Sequence, residues 1–353
     1  MKCPVCFAAA GSDAHDPDIQ TIESWYRTLL DSGGPYNIQL SGGEPTLRDD
    51  LPEIIALGRS LGFCFFQLNT NGLRLEEDPS YVRSLKEAGL NCVFLQFDGT
   101  GDTIYEKIRG RALFDLKDAA ISNCGEHNLG VVLVPTLVPG INTDDIGRII
   151  EFAVRMMPTV RGVNFQPVSY FGRYDGEPAD SGRITIPEVI TELERQTGGR
   201  LKVKDFHPPS AENSYCSFSG NFVLMQDAEL KTWKQEGRSG CCSPRPATDG
   251  AKKSQLFVAR KWSASKDNEA TNKINCGNFM KVDSLDAFLE RVEKYSLCIS
   301  GMAFQDAWNV DLERLRECFI HVVSPDKRII PFCAYNLTDV QGNSLYRPER
   351  GCQ

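Results

Sequence analysis

Between residue 36 and about residue 172, short runs of β-branched and aromatic residues alternate with longer stretches of mixed apolar and charged positions. The runs predict five strands: YNIQLS (36–41), FCFFQLNT (63–70), NCVFLQFD (91–98), GVVLVPTLV (130–138) and RGVNFQPVS (161–169). Between them, helical periodicity predicts helices over 49–61, 79–89, 102–127 and 142–157; the last opens on Asn142-Thr143-Asp144-Asp145, residue types suited to an N-cap and first turn. Such alternation is the signature of βα units around a parallel sheet. The pattern then breaks: FGRYDGEPADSGRITIP has the Gly, Pro and Asp density of a connector. Beyond it we expect a helix over 187–197, a short strand LKVKDF, a polar insertion from about 236 to 275 and a helix over 283–297. A last Cys-rich segment holds a short helix and the hairpin-like IHVVSPDKRIIPF. The expected division is therefore 1–172, a connector with one helix over 173–205, and a C-terminal unit over 206–353.

The chain has 353 residues, 41% hydrophobic and 24% charged, which is ordinary for a globular protein with a sizeable core. No apolar run approaches the roughly 18 residues of a membrane span, and the N-terminus lacks the zones of a signal peptide, so a cytoplasmic protein is expected. A net charge of -8 lacks the basic excess that phosphate-backbone binding uses, and no nucleic-acid partner is expected.

The 13 cysteines change the picture, because clustered thiols in a reducing compartment more often hold metal or do redox work than form disulfides. Cys64, Cys92 and Cys124 fall within apolar or helical segments and read as small core residues. Cys216, Cys241, Cys242, Cys276, Cys298, Cys318, Cys333 and Cys352 fall in polar, Gly- and Pro-punctuated surroundings that burial explains less well. Cys3 and Cys6 form a Cys-x-x-Cys pair, which suits half a zinc site, a redox dithiol or part of an iron-sulfur site. The first strand ends in SGGEPTL: Gly42 and Gly43 permit close backbone approach, Glu44 supplies a carboxylate and Pro45 stiffens the exit. That loop suits a grip on a ligand amino group or simply a tight strand-to-helix turn.

KCPVCF followed by a strand ending in SGGEP resembles the core of the radical S-adenosylmethionine (radical SAM) superfamily. The resemblance implies a partial (β/α)6 barrel, an α/β fold here lacking its first strand, followed by a C-terminal Cys-rich α+β auxiliary-cluster domain. It implies a 4Fe-4S cluster on three cysteines spaced C-x-x-x-C-x-x-C, whose fourth iron chelates S-adenosylmethionine for reductive cleavage to a 5'-deoxyadenosyl radical; soft thiolates suit that iron. By that pattern Cys3 and Cys6 are the second and third ligands, and the first would sit four positions before Cys3, where this sequence has no residue. A missing front, carrying that ligand and a first strand, is thus expected. The resemblance also implies that Gly42, Gly43 and Glu44, with Pro45, hold the methionine amino group, and that Asn71, Asp98 and Gln166 reach the cofactor from strand ends. NTNG and FDG also read as an ordinary Asn-Gly turn and an ordinary strand exit.

The phrases CPVCF, FQDAWN-x-D and IIPFC-x-YN resemble the branch of tetraether-lipid-synthase-like proteins and the TrsS-type radical SAM (seleno)proteins. In that branch selenocysteine occurs, and an upstream UGA codon would make the chain appear to start late. The branch implies auxiliary iron-sulfur sites drawn from Cys298, Cys318 and Cys333, then Cys216, then Cys241, Cys242 and Cys276, and an electron donor such as a ferredoxin or flavodoxin. Two other classes stay open on the residues alone: a non-enzymatic iron-sulfur electron carrier and a zinc-binding interaction module. The substrate is not legible.

Overall fold

A computed structural model describes residues 3–6, 16–174, 179–209, 212–232, 255–256, 259, 261–264, 284–339 and 343–346. The five expected strands are present, trimmed at their ends: β1 (Ile38–Leu40), β2 (Phe66–Thr70), β3 (Cys92–Gln96), β4 (Gly130–Val134) and β6 (Val160–Pro167). Pro135, which has no N–H to give a ladder, cuts the fourth run, leaving Thr136–Leu137 as a separate short β5 paired with β6. Strands β1, β2, β3, β4 and β6 run parallel in that order.

Past β6 the sheet does not stop. The strand Ser296–Met302 (β9) pairs parallel with β6, and Ser217–Leu224 (β7) pairs antiparallel with β9 and with Leu230–Thr232 (β8). Strands of the expected C-terminal unit thus extend the sheet of the first 172 residues, in the order β1-β2-β3-β4-β6-β9-β7-β8. A separate two-stranded hairpin, β10 (His321–Val323) with β11 (Ile329–Pro331), matches the hairpin read in IHVVSPDKRIIPF.

The main core lies between the sheet and its helices α1 (Ile19–Asp31), α2 (Leu51–Ser60), α3 (Leu73–Glu77), α4 (Pro79–Ala88), α5 (Asp102–Arg109), α6 (Phe114–Glu126), α7 (Ile146–Arg155) and α8 (Ile186–Gln196). Phe97 stacks on Phe152 with centroids 4.7 Å apart, tying the end of β3 to α7. The opposite face of the sheet carries Phe65, Cys92, Phe94 and Val132, covered in part by Trp262, whose ring lies 4.8 Å from that of Phe94.

Four local expectations are corrected. The helix expected over 102–127 is two, because Gly110 takes a left-handed conformation (φ 81°) that ends α5. LKVKDF is a 3-10 turn over Val203–Asp205 and not a strand. The helix expected over 283–297 stops at Lys294, and the residues after it are β9. Cys64 is exposed, whereas Cys92 and Cys124 are buried as expected. Helix α1, not anticipated, starts where Asp18 caps the Thr21 N–H at 2.7 Å.

Candidate active site at the strand ends

The C-terminal ends of parallel strands leave backbone groups and loops free for ligands, and the expected residues gather there. Glu44 follows β1. One carboxylate oxygen accepts from Thr46 Oγ1 and Thr70 Oγ1, each at 2.7 Å, and the other accepts from the Asn71 N–H at 2.7 Å. This carboxylate therefore welds the SGGEP loop to the end of β2. A Cβ added at Gly42 would meet no protein atom within 4 Å, and neither Gly42 nor Gly43 has a positive φ. Neither glycine is thus required by a left-handed turn, nor Gly42 by a protein neighbour, and the loop's backbone is exposed for a ligand to approach.

Asn71 behaves as the Asn-Gly turn reading expects. Its Oδ1 accepts from the Leu73 N–H at 2.9 Å, and Gly72 has φ 79°. Gln166 lies opposite Thr136 in the β5–β6 ladder, half-buried, its backbone N–H donating to Pro135 O. Asp98 is wholly buried. Its carboxylate accepts from Arg109 Nε at 2.7 Å and Nη2 at 2.8 Å, from Gln96 Nε2 at 2.6 Å and from the Thr136 N–H at 3.2 Å. That set uses the carboxylate fully, so Asp98 supports Arg109 and faces no open space.

Arg109 is the first site residue missed by sequence reasoning. Its Nη1 donates to Val5 O at 2.9 Å, between Cys3 and Cys6. Desolvation pulls this guanidinium's pKa down, but Asp98 and the Cys3 and Cys6 thiols more than offset it, and the group stays above its usual range. Arg173 is the second: its backbone exchanges two 2.9 Å bonds with Cys6, and its Nε donates to Cys3 O at 2.7 Å. The third is Lys117 on α6, wholly buried, which donates to Asn71 O and lies 3.4 Å from Gln96 Oε1. Burial pulls its pKa from 10.5 to about 8; Asp98 opposes the fall, Arg109 adds to it, and Glu44 and Cys3 oppose it. The Cys3–Cys6 loop is thus brought to the same strand ends as Glu44. Two soft thiols at this spacing, beside fixed cations, suit iron held by thiolates.

The late cysteines divide. Cys216, Cys318 and Cys333 lie within electrostatic reach of one another: burial chiefly raises the proton affinity of Cys318 and carries Cys333 to about 11, Cys216 adds to the rise at Cys318, and Cys318 and Cys216 add to it at Cys333. Cys318 donates its thiol proton to Ile320 O at 3.0 Å, and Cys333 accepts from the Gln305 N–H at 3.3 Å. As they stand, no three His, Cys, Asp or Glu groups among the described residues are arranged to hold a metal ion. Cys298 is elsewhere: it pairs with Asn221 in β7, five residues along the chain from Cys216, which immediately precedes that strand, or about 17 Å at the usual rise. It is buried, its pKa raised to about 11 by desolvation, and Trp262, Lys261 and Ser300 oppose that rise. Cys241, Cys242, Cys276 and Cys352 lie outside the described residues. No helix among the described residues is long and apolar enough to cross a membrane.

A family model described as the radical SAM superfamily matches residues 1–153. The 7,8-dihydro-6-hydroxymethylpterin dimethyltransferase of Methanocaldococcus jannaschii is 36% identical over 375 aligned residues, covering 95% of this chain and 74% of that protein. The GTP 3',8-cyclase of Chlorobaculum tepidum is 29% identical over 248 residues, covering 65% of this chain and 73% of that protein. Among solved structures, native anSMEcpe with bound AdoMet and Kp18Cys peptide is 18% identical and aligns with a TM-score of 0.42 over 57% of this chain and 59% of its own.

Proposed function

This chain belongs to the radical SAM superfamily and is an enzyme, and from that premise we propose that it binds a 4Fe-4S cluster through Cys3 and Cys6 and cleaves S-adenosylmethionine reductively. One observation carries the reading: the Cys3–Cys6 loop is brought to the strand ends that hold Glu44, by Arg109 on one side and Arg173 on the other. When bound, such a cluster passes one electron to S-adenosylmethionine and yields a 5'-deoxyadenosyl radical that abstracts hydrogen from the substrate. The protein's share is positioning and exclusion of water. Gly42 and Gly43 offer exposed backbone to the methionine amino group, Glu44 fixes their loop and Pro45 its exit, and Gln166 faces the same strand ends from β6. Asn71 and Asp98 act one layer back, Asn71 by shaping the β2 turn and Asp98 by orienting Arg109.

The electron reaches the site from a donor such as a ferredoxin or flavodoxin. Cys216, Cys318 and Cys333 form the core of an auxiliary iron-sulfur site, and loading requires loss of the Cys318 thiol proton and its bond to Ile320 O. The TrsS-like branch reading rests on FQDAWN and IIPFCAYN, which meet where Phe304 packs on Phe332 and the Gln305 N–H donates to Cys333. The similarity to the archaeal pterin dimethyltransferase across most of this chain favours a reduced pterin as substrate and methyl transfer as outcome. Anaerobic reconstitution with iron and sulfide, followed by S-adenosylmethionine and dithionite, tests the core reading. 5'-Deoxyadenosine is expected, and its absence from an iron-loaded protein refutes the reading. Adding 7,8-dihydro-6-hydroxymethylpterin and searching for a methylated product tests the substrate separately.

A further inference from the structure

Arg173 holds the cysteine loop in an unusual way. Its backbone is paired with Cys6 in both directions, while its side chain turns back along the loop to reach Cys3 O. The guanidinium therefore runs beside both thiol-bearing residues. Nε and Nη2 share one edge of that planar group, so the edge that donates to Cys3 O presents a second donor in the same direction. That second donor, Nη2, is buried and has no hydrogen-bond partner. Arg109, the other cation on the loop, differs: its three nitrogens are occupied by Asp98, Val5 O and Thr136 Oγ1. A buried cationic N–H without an acceptor is costly and calls for an explanation, and at this loop a ligand that brings an acceptor supplies one.

We propose that Arg173 is a positioning residue that donates a hydrogen bond from Nη2 to the sulfur-ligated iron group carried by Cys3 and Cys6, and thereby raises that group's reduction potential. The inference rests on the cluster-binding reading above. A donor and a positive charge at a sulfur stabilise the reduced, more negative form, and hydrogen bonds to the sulfurs are a recognised means of tuning such centres. A purely structural clasp would alter how much iron is bound without moving the potential of the iron that is bound.

The test uses the full chain reconstituted anaerobically with iron and sulfide, without S-adenosylmethionine, in wild-type form and as Arg173→Lys and Arg173→Gln. Iron and acid-labile sulfide are counted, and the midpoint potential is read by electron paramagnetic resonance during a redox titration. The expected result is a more negative midpoint in Arg173→Gln and an intermediate one in Arg173→Lys, which keeps the charge and loses the forked edge. A wild-type midpoint in the loaded fraction of Arg173→Gln overturns the proposal. Should Arg173→Gln fail to load or fold, a wild-type midpoint in Arg173→Lys does the same. A wild-type protein that takes up no iron overturns the cluster reading itself, an outcome distinct from loaded variants with unchanged potentials.

Discussion

Replacing Asp98 by Asn removes one charge from a pair that has almost no water to fall back on. The Asp98 side chain is 0% exposed and that of Arg109 9%, and two charge-assisted bonds of 2.7 and 2.8 Å join them. Asn keeps the shape and one acceptor, but leaves a desolvated guanidinium without its counterion. Breaking a buried pair by removing one partner costs about 3–5 kcal/mol. At roughly 2.1 cal/mol/K per residue over 353 residues, about 4 kcal/mol lowers the thermal midpoint by about 5 °C. Arg109→Met removes the other charge, and the double variant Asp98→Asn/Arg109→Met leaves no uncompensated cation. It is expected to cost less than the two single losses together, by about 2 kcal/mol. Circular dichroism melts of the four proteins give the cycle, and iron content gives its functional echo, since Arg109 reaches Val5 O. Additive single losses, or an Asp98→Asn midpoint within 1 °C of wild type, would refute the claim that this pair is a coupled, desolvated unit.

Lys117 gives a pH-dependent prediction: its pKa near 8 in the fold against 10.5 when exposed means the unfolded chain holds the proton more tightly between those values, so wild-type stability rises as pH climbs from 8 to 10.5. The full penalty, present below pH 8, is about 3 kcal/mol, and Lys117→Met should show a urea midpoint advantage that shrinks across that window; an advantage independent of pH would contradict the assignment. Gly72→Ala should cost about 2 kcal/mol, because φ is 79° and the new Cβ would lie 2.4 Å from Leu95 Cδ1. Gly72→Asn, tolerant of that φ, should not recover the loss in urea unfolding, since the collision remains. Cys298→Ser should leave the iron content of reconstituted protein unchanged, whereas Cys318→Ser and Cys333→Ser should lower it, and equal losses in all three would undo the separation of Cys298 from the other late thiols.

What the chain disclosed and what it hid follow from how far each signal reaches. The parallel strands were legible because each is a local run, and Pro135 and Gly110 show where a single residue with fixed or left-handed φ divides such a run. The partners of Asp98 were not, because Arg109 lies at the far end of α5, and it reaches Asp98 only through the way that helix packs back on the end of β3. Lys117 did leave a trace: it stands on the stripe that runs from Leu113, just before α6, through Ala120, Ile121 and Cys124 within it, a position where an apolar residue is expected and a lysine is an anomaly. The branch resemblance groups Cys298 with Cys318 and Cys333, and no local signal in the sequence separates them. The insertion of β9 between β6 and β7 could not be read from any local pattern, and it is this crossover that buries Cys298 beside Trp262.

The charges around the cysteine loop carry the same logic further. Arg109, Arg173 and Lys117 lie about it, and among the described residues Asp98 and Glu44 are the carboxylates that act on Arg109 and Lys117. These side-chain charges sum to an excess of one positive charge, which a desolvated site tolerates poorly. A bound anionic iron-sulfur group answers that excess. The same cations therefore favour the loaded state, and metal binding is expected to raise the stability of the whole fold as well as to supply its chemistry.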